Sequence, residues 1–133
     1  MKPVSANVVK SIQLKTRLVC VDNSGAKELE LIAVKTYKGR LRRLQKAGVG
    51  DVIICSVKKG KEKLRHELVH AVIVRQKHEY MRPDGTRIKF QDNAAVLVNP
   101  KNFEPQGTEI RSVIAKEVVE RFSAIGKIAS MVL

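Results

Sequence analysis

The sequence predicts a mainly β domain, a small closed barrel carrying a helical appendage. Three observations predict it. Short runs rich in β-branched and apolar residues recur up to Pro100: Leu29–Val34, Val52–Cys55, Leu68–Val74 and Asn93–Asn99. Reversal signals separate them, above all Asp22-Asn23-Ser24-Gly25 and Arg82-Pro83-Asp84-Gly85-Thr86. From Gly107 the apolar spacing changes to three and four residues. Strands in series with short turns favour closure, because a barrel leaves no unpaired edge.

The elements follow in order. Residues 14–21 alternate apolar and polar in part, with Leu14, Leu18 and Cys20 against Lys15 and Arg17, and stop at the Asp22–Gly25 turn. A second strand runs through Leu29–Val34. The loop 38–46 follows, closed by Gly48 and Gly50 before the strand Val52–Cys55. A second basic loop, Lys58 to Arg65, leads to the strand Leu68–Val74. In the next turn Pro83 presets φ and Asp84-Gly85 supplies the reversal of a hairpin. The hairpin's arms, 75–81 and 87–91, are so basic and polar that it should project from the body as a ribbon. Asn93–Asn99 is the last strand, stopped by Pro100. Ile110, Val113, Ile114, Val118 and Phe122 then predict an amphipathic helical tail over 107–133, broken near Ser123 or Gly126. The 133 residues make one domain, with the barrel over about 12–99.

The net charge of +13 is unevenly spread. Between Lys35 and Lys89 stand 16 Lys or Arg against 5 Asp or Glu, whereas the residues after Lys89 carry no net charge. Basic residues threaded between strand-like runs must lie on the surface of a folded body, and such a field attracts polyanions, nucleic acid above all. Lys38, Arg40, Arg42, Arg43 and Lys46 fall within nine residues. Arginine forks match phosphate oxygens bidentately and lysines act as point charges beside them. Lys58, Lys59, Lys61, Lys63 and Arg65 form a second set, which reads either as RNA contact or as a solubilising turn. The ribbon adds Arg75, Lys77, Arg82, Arg87 and Lys89. Aromatic residues are few: Tyr37, Tyr80, Phe90, Phe103 and Phe122, with no Trp. That scarcity argues against a row of stacking rings and for contact through phosphates and RNA shape.

Other chemistry finds little support. No apolar run approaches the ~20 residues of a membrane helix and no signal-peptide core is present, so a cytosolic protein is expected. Cys20 and Cys55 sit in apolar runs outside any Cys-x-x-Cys pair and read as buried reduced thiols. His66 and His70 flank a strand-like run without a third ligand. Gly48-Val49-Gly50 lacks the Gly-Lys-Ser/Thr that completes a phosphate loop. Asp22 and Asp51 lie in turns with no nucleophile or base at motif spacing, so neither an enzyme nor a bound cofactor is indicated. Ile125, Ile128, Met131, Val132 and Leu133 extend apolar character to the last residue, as core closure or as a protein-contact surface. Two other function classes stay open on these residues: a free-standing single-strand binder or RNA chaperone using Tyr80, and a protein-docking adaptor.

Several spaced blocks resemble one family. Ala71-Val72-Ile73-Val74, followed after nine residues by Asp84-Gly85 and then by Phe90, Asn93, Val96 and Leu97, is similar to the signature of the universal large-subunit ribosomal protein fourteen family. Thr16-Arg17-Leu18 with Asp22–Ala26, Ala47–Asp51, Arg82–Gly85, and Gly107-Thr108 with Ile110 agree in the same order, covering the chain from about residue 12. The resemblance implies a five-stranded β-barrel with a protruding β-ribbon and short C-terminal helices. It implies a structural constituent of the large ribosomal subunit that binds its rRNA and touches neighbouring large-subunit proteins. It also implies bridges to small-subunit rRNA and a docking site for a subunit anti-association factor. The long Arg-rich 38–46 loop, the shorter Lys-rich 58–67 segment and the extra N-terminal dozen residues look like the archaeal and eukaryotic branch.

Overall fold

The computed structural model describes residues 1–133. Its first strands are β1 (Ile12–Gln13), β2 (Arg17–Cys20), β3 (Ala26–Val34), β4 (Lys46–Ala47), β5 (Val52–Gly60) and β6 (Leu68–Arg75). After them come β7 (Tyr80–Met81), β8 (Arg87–Ile88), β9 (Ala94–Val98) and β10 (Ile110–Ile114). Helices α1 (Lys116–Arg121) and α2 (Ser123–Ile128) precede β11 (Ala129–Val132). The barrel is closed, in the order β2-β3-β5-β6-β9. Neighbours are antiparallel, as in Leu18↔Leu29, Leu31↔Cys55, Ile53↔Ala71 and Val72↔Val96, until β2 meets β9 in parallel at Val19↔Ala94 and Cys20↔Ala95. No helix is long and apolar enough to cross a membrane.

The expected strands form where β-branched runs can bury one or both faces. On β3, Ala26, Leu29, Leu31 and Val34 are buried while Glu28 and Glu30 look outward, and register shifts bend the strand around the barrel. β9 is buried throughout, as its unbroken apolar run requires. The hairpin is present as β7–β8, with Asp84 Oδ1 accepting from Thr86 N at 2.9 Å to fix the Asp-Gly turn. Its base is fastened to the body, because Tyr80, Ile88 and Phe90 belong to the core, while the tip Pro83–Arg87 is exposed throughout.

Two segments differ from expectation. The basic loop expected from Lys58 begins later, because β5 continues to Gly60 and carries Lys58 and Lys59 on its outer side; a short 3₁₀ turn at Glu62–Leu64 follows. Adjacent lysines at the end of a strand look like loop residues in sequence, since the apolar run stops at Val57 while the pairing with β3 continues to Gly60. The helix expected from Gly107 starts only at Lys116. Residues 110–114 form a strand paired in parallel with β11, through Ile110↔Ala129 and Ile114↔Val132. Ile110 and Ile114, four residues apart, are buried and Val113 beside them is partly so; a spacing of four falls on one face of a strand as well as of a helix, and so imitates a helix. The helical part breaks at Phe122 (φ −126°, ψ 85°), beside the predicted position. Ile110, Ile114, Val118, Phe122 and Ile125 join the barrel interior in one continuous core.

Glycine is demanded where β5 ends against the Asp22–Gly25 turn. A Cβ on Gly60 would stand 2.7 Å from the Gly25 oxygen and 2.9 Å from Ala26 Cα, both main-chain atoms that cannot swing aside. Gly60→Ala should therefore lower stability by roughly 2 kcal/mol, seen as a reduced urea midpoint; an unchanged midpoint would refute this packing.

Candidate nucleic-acid interface

The 38–46 loop is held at both ends. Tyr37 N donates to Val34 O at 3.2 Å, and Gln45 Oε1 accepts from Val34 N at 2.8 Å. Lys46 is paired with Gln13 through β1–β4. Between these anchors Arg43 N donates to Arg40 O at 3.1 Å, and Arg42 adopts a left-handed backbone, φ 64°. Lys38, Arg40, Arg42, Arg43 and Lys46 are exposed, and none forms an ion pair. Their mutual repulsion is left for an external anion to relieve.

The second set is divided by its surroundings. Lys58 Nζ lies 3.5 Å from Glu30, and Lys59 Nζ lies 2.9 Å from Glu28, which also holds Arg17 at 2.7 Å. The hydrogen bond from Lys59, with help from Arg17 against some desolvation, keeps the Glu28 carboxyl below its ordinary range. Lys61, Lys63 and Arg65, around the 3₁₀ turn, are exposed and free of acidic partners.

The ribbon divides in the same way. Arg75, expected as an RNA contact, is turned inward: its guanidinium donates to Asp92 and to Val113 O, each at 2.9 Å. Arg82, also expected there, is committed to a buried cluster. Arg82 Nε and the Tyr80 hydroxyl each donate to the Glu117 carboxylate at 2.6 Å, and Arg82 Nη2 donates to the Leu133 main-chain oxygen at 2.6 Å. Both arginines sit where β-ribbon and C-terminal segment pack together, so their charges are neutralised inside the protein. Arg87 pairs on the surface with Glu79 at 2.7 Å. Lys77 and Lys89 remain exposed and unpaired, flanking Phe90 in an open cleft of about 540 Å³.

Sequence reasoning missed Glu117. The helical pattern set it among Lys116, Glu120 and Arg121 on a polar face, yet its side chain is 3% exposed. Tyr80 is likewise buried, so its ring is no surface for stacking a base. Burial, then Glu117, push its phenol pKa up. At the C-terminal end Ile125 is fully buried and belongs to the core rather than to a contact surface. Ile128 is half-buried, while Met131, Val132 and Leu133 are exposed. Cys20 and Cys55 are free thiols, each pushed up to about 12, by burial and, for Cys20, also by Asp22. They are therefore poor nucleophiles at neutral pH.

A closed barrel bearing unneutralised cations on anchored projections presents a positive field of the kind that attracts polyanions. The family described as ribosomal protein L14p/L23e matches residues 11–133. The large ribosomal subunit protein uL14 of Methanococcus vannielii is 48% identical over 132 residues, covering 99% of each chain. Those of Thermoplasma volcanium (47%) and Methanocella arvoryzae (46%) are similar over 133 residues and the whole of each chain. The chain belongs to the L14p/L23e family of ribosomal proteins. It is a structural constituent of the large subunit, not an enzyme, and its likeness to archaeal relatives agrees with the branch read from the loops.

Glu117 makes stability depend on acidity. Burial raises its pKa, but the hydrogen bonds from Arg82 and Tyr80 outweigh that and leave the carboxyl below its ordinary value. A depressed folded pKa contributes stability that is complete above the unfolded pKa and is lost as pH falls through the folded one. Urea denaturation should thus show stability shrinking below about pH 4.3, the free-Glu value. Glu117→Gln should flatten that part of the profile and cost about 3 kcal/mol at neutral pH, since a buried cation loses its partner. A variant with the parent's midpoint at pH 7 would contradict it.

Proposed function

We propose that the chain anchors in the large subunit by binding rRNA, with the 38–46 loop as its principal contact. The observation that carries this is the loop's set of exposed cations without any acidic partner. Lys61, Lys63 and Arg65 form a second contact, and Lys77 with Lys89 a third; each faces its own RNA segment because the barrel keeps the projections apart. Lys58, Lys59 and Arg87 contribute less, being already paired, and Arg75 and Arg82 act as internal struts. Family membership supports two finer roles: meeting small-subunit rRNA across the subunit interface, and offering a surface to an anti-association factor. Met131, Val132 and Leu133, with the half-buried Ile128 beneath them, suit contact with a neighbouring ribosomal protein, since an exposed apolar strand end gains from being covered.

Filter binding to transcribed large-subunit rRNA over a salt series tests the principal contact. Arg42→Glu with Arg43→Glu should weaken binding and reduce the slope of log K against log salt by about 1 to 2, one released counterion per lost phosphate contact. Lys58→Gln with Lys59→Gln should change it less. Unchanged affinity and slope in the Arg42/Arg43 variant would remove the loop from the interface.

A further inference from the structure

We propose that the 38–46 loop is a wedge for unpaired RNA, in which Leu41 and Leu44 pack against exposed base faces while the surrounding cations hold the phosphates. The inference rests on the RNA-binding reading of this loop and names the kind of RNA it takes.

Leu41 is 88% exposed and Leu44 65% exposed. A single exposed leucine needs no explanation, but these two interrupt a basic run, Arg40-Leu41-Arg42-Arg43-Leu44. Neither helps to fold the chain, for neither belongs to the core or packs against it. Their display is nevertheless built. The Arg40–Arg43 turn and the Gln45 anchor hold the loop, and Arg42 sits at φ 64°, a conformation a side chain with a Cβ adopts only at a cost. A loop needed only for phosphates would gain nothing from leucine.

Charge complementarity selects the occupant. Five cations without partners, within nine residues, call for a dense polyanion, and an apolar protein groove would need an unusually acidic rim to match them. Paired RNA supplies phosphates but hides its base faces in the stack, and its deep, narrow major groove does not admit side chains. Unpaired bases in a bulge or internal loop offer apolar faces beside the phosphates, the combination that apolar wedges flanked by cations use on nucleic acid.

The test uses the full chain and two RNA hairpins of equal length, one fully paired and one carrying a purine-rich internal loop. Leu41→Ser with Leu44→Ser should lower affinity for the looped hairpin roughly tenfold, leaving the paired hairpin and both salt slopes unchanged. Leu41→Met with Leu44→Met should retain the parent's preference. Equal loss on both RNAs, or loss on neither, overturns the wedge. Arg42→Glu with Arg43→Glu on the same hairpins separates this from failure of the RNA reading itself, which would leave both affinities unmoved. A photoreactive leucine at position 41 in assembled large subunits should crosslink to RNA; crosslinking to protein alone would overturn the proposal in favour of a protein neighbour.

Discussion

The barrel closes through a short parallel seam between β2 and β9, and the placement of every surface feature depends on that seam. The strands are in register only at Val19↔Ala94 and Cys20↔Ala95. Main-chain bonds from Val19 N to Asn93 O (3.0 Å) and from Val21 N to Ala95 O (3.2 Å) run across it. Asp22 then extends the seam with a side chain: Oδ2 accepts from Leu97 N at 2.8 Å, while Oδ1 accepts from Ser24 N at 3.2 Å and from the Ser24 hydroxyl. One carboxylate thus shapes the turn after β2 and ties it to the last barrel strand. Asn23, next to it, accepts from Thr108 N at 2.8 Å and donates to the Thr108 hydroxyl at 2.7 Å, which fixes where the C-terminal segment enters. The turn is a clamp as well as a reversal.

Closure leaves no open barrel edge, so what the protein offers to others is carried by loops and charge. The charge is sorted by surroundings, not by number. Where two layers meet, arginine is neutralised: Arg75 by Asp92 under β10, and Arg82 by Glu117 between the ribbon and α1. The lysines near the end of β5 meet glutamates on the neighbouring strand β3, Lys59 directly opposite Glu28 and Lys58 diagonally to Glu30. The N-terminal segment is fastened in the same manner, with Lys10 3.2 Å from the buried Asp51, and with Gln76 donating to Val9 O at 3.1 Å. Between residues 36 and 89, the cations that remain without an acidic partner lie on the 38–46 loop, around the 3₁₀ turn and in the Lys77–Lys89 cleft. A field assembled from those residues is a property of the fold that net charge alone does not reveal.

The legible parts of this chain were those where local chemistry and tertiary fate agree. The β-branched runs at 52–55, 68–74 and 94–98 had only one way to bury their side chains, and Asp84-Gly85 is a turn in any context. The 38–46 loop was legible because no strand could form through its alternating arginines. The C-terminal segment was not, since the spacing of Ile110, Val113 and Ile114 suits a helix as well as a strand, and its pairing with β11 joins residues far apart in sequence. Glu117 was hidden for a related reason. A buried carboxylate is stable only through Tyr80 and Arg82, and nothing near position 117 announces partners 35 and 37 residues away. Arg75 and Arg82 looked like surface cations because their acids come from other elements.

Specificity in such a protein must come from rigidity. Tyr80, Phe90 and Phe122 are buried, and Phe103 meets Phe122 edge-on at 5.9 Å under the Lys35 ammonium, 4.9 Å from the Phe103 ring. The rings are spent on packing, so base stacking by aromatic side chains is not what the surface provides. Phosphate contacts position a protein but carry no sequence information. On the proposed reading, selectivity rests on the spacing and attitude of the cation clusters, together with the leucines of the 38–46 loop, which an RNA of the right shape satisfies together and any other satisfies singly. That spacing holds only if the projections do not move relative to one another. The loop's anchors at Val34 and Gln13, and the ribbon's at Glu117, lie on elements locked to the barrel, and so the Asp22 clamp and the parallel seam set the distances at which the charges are presented.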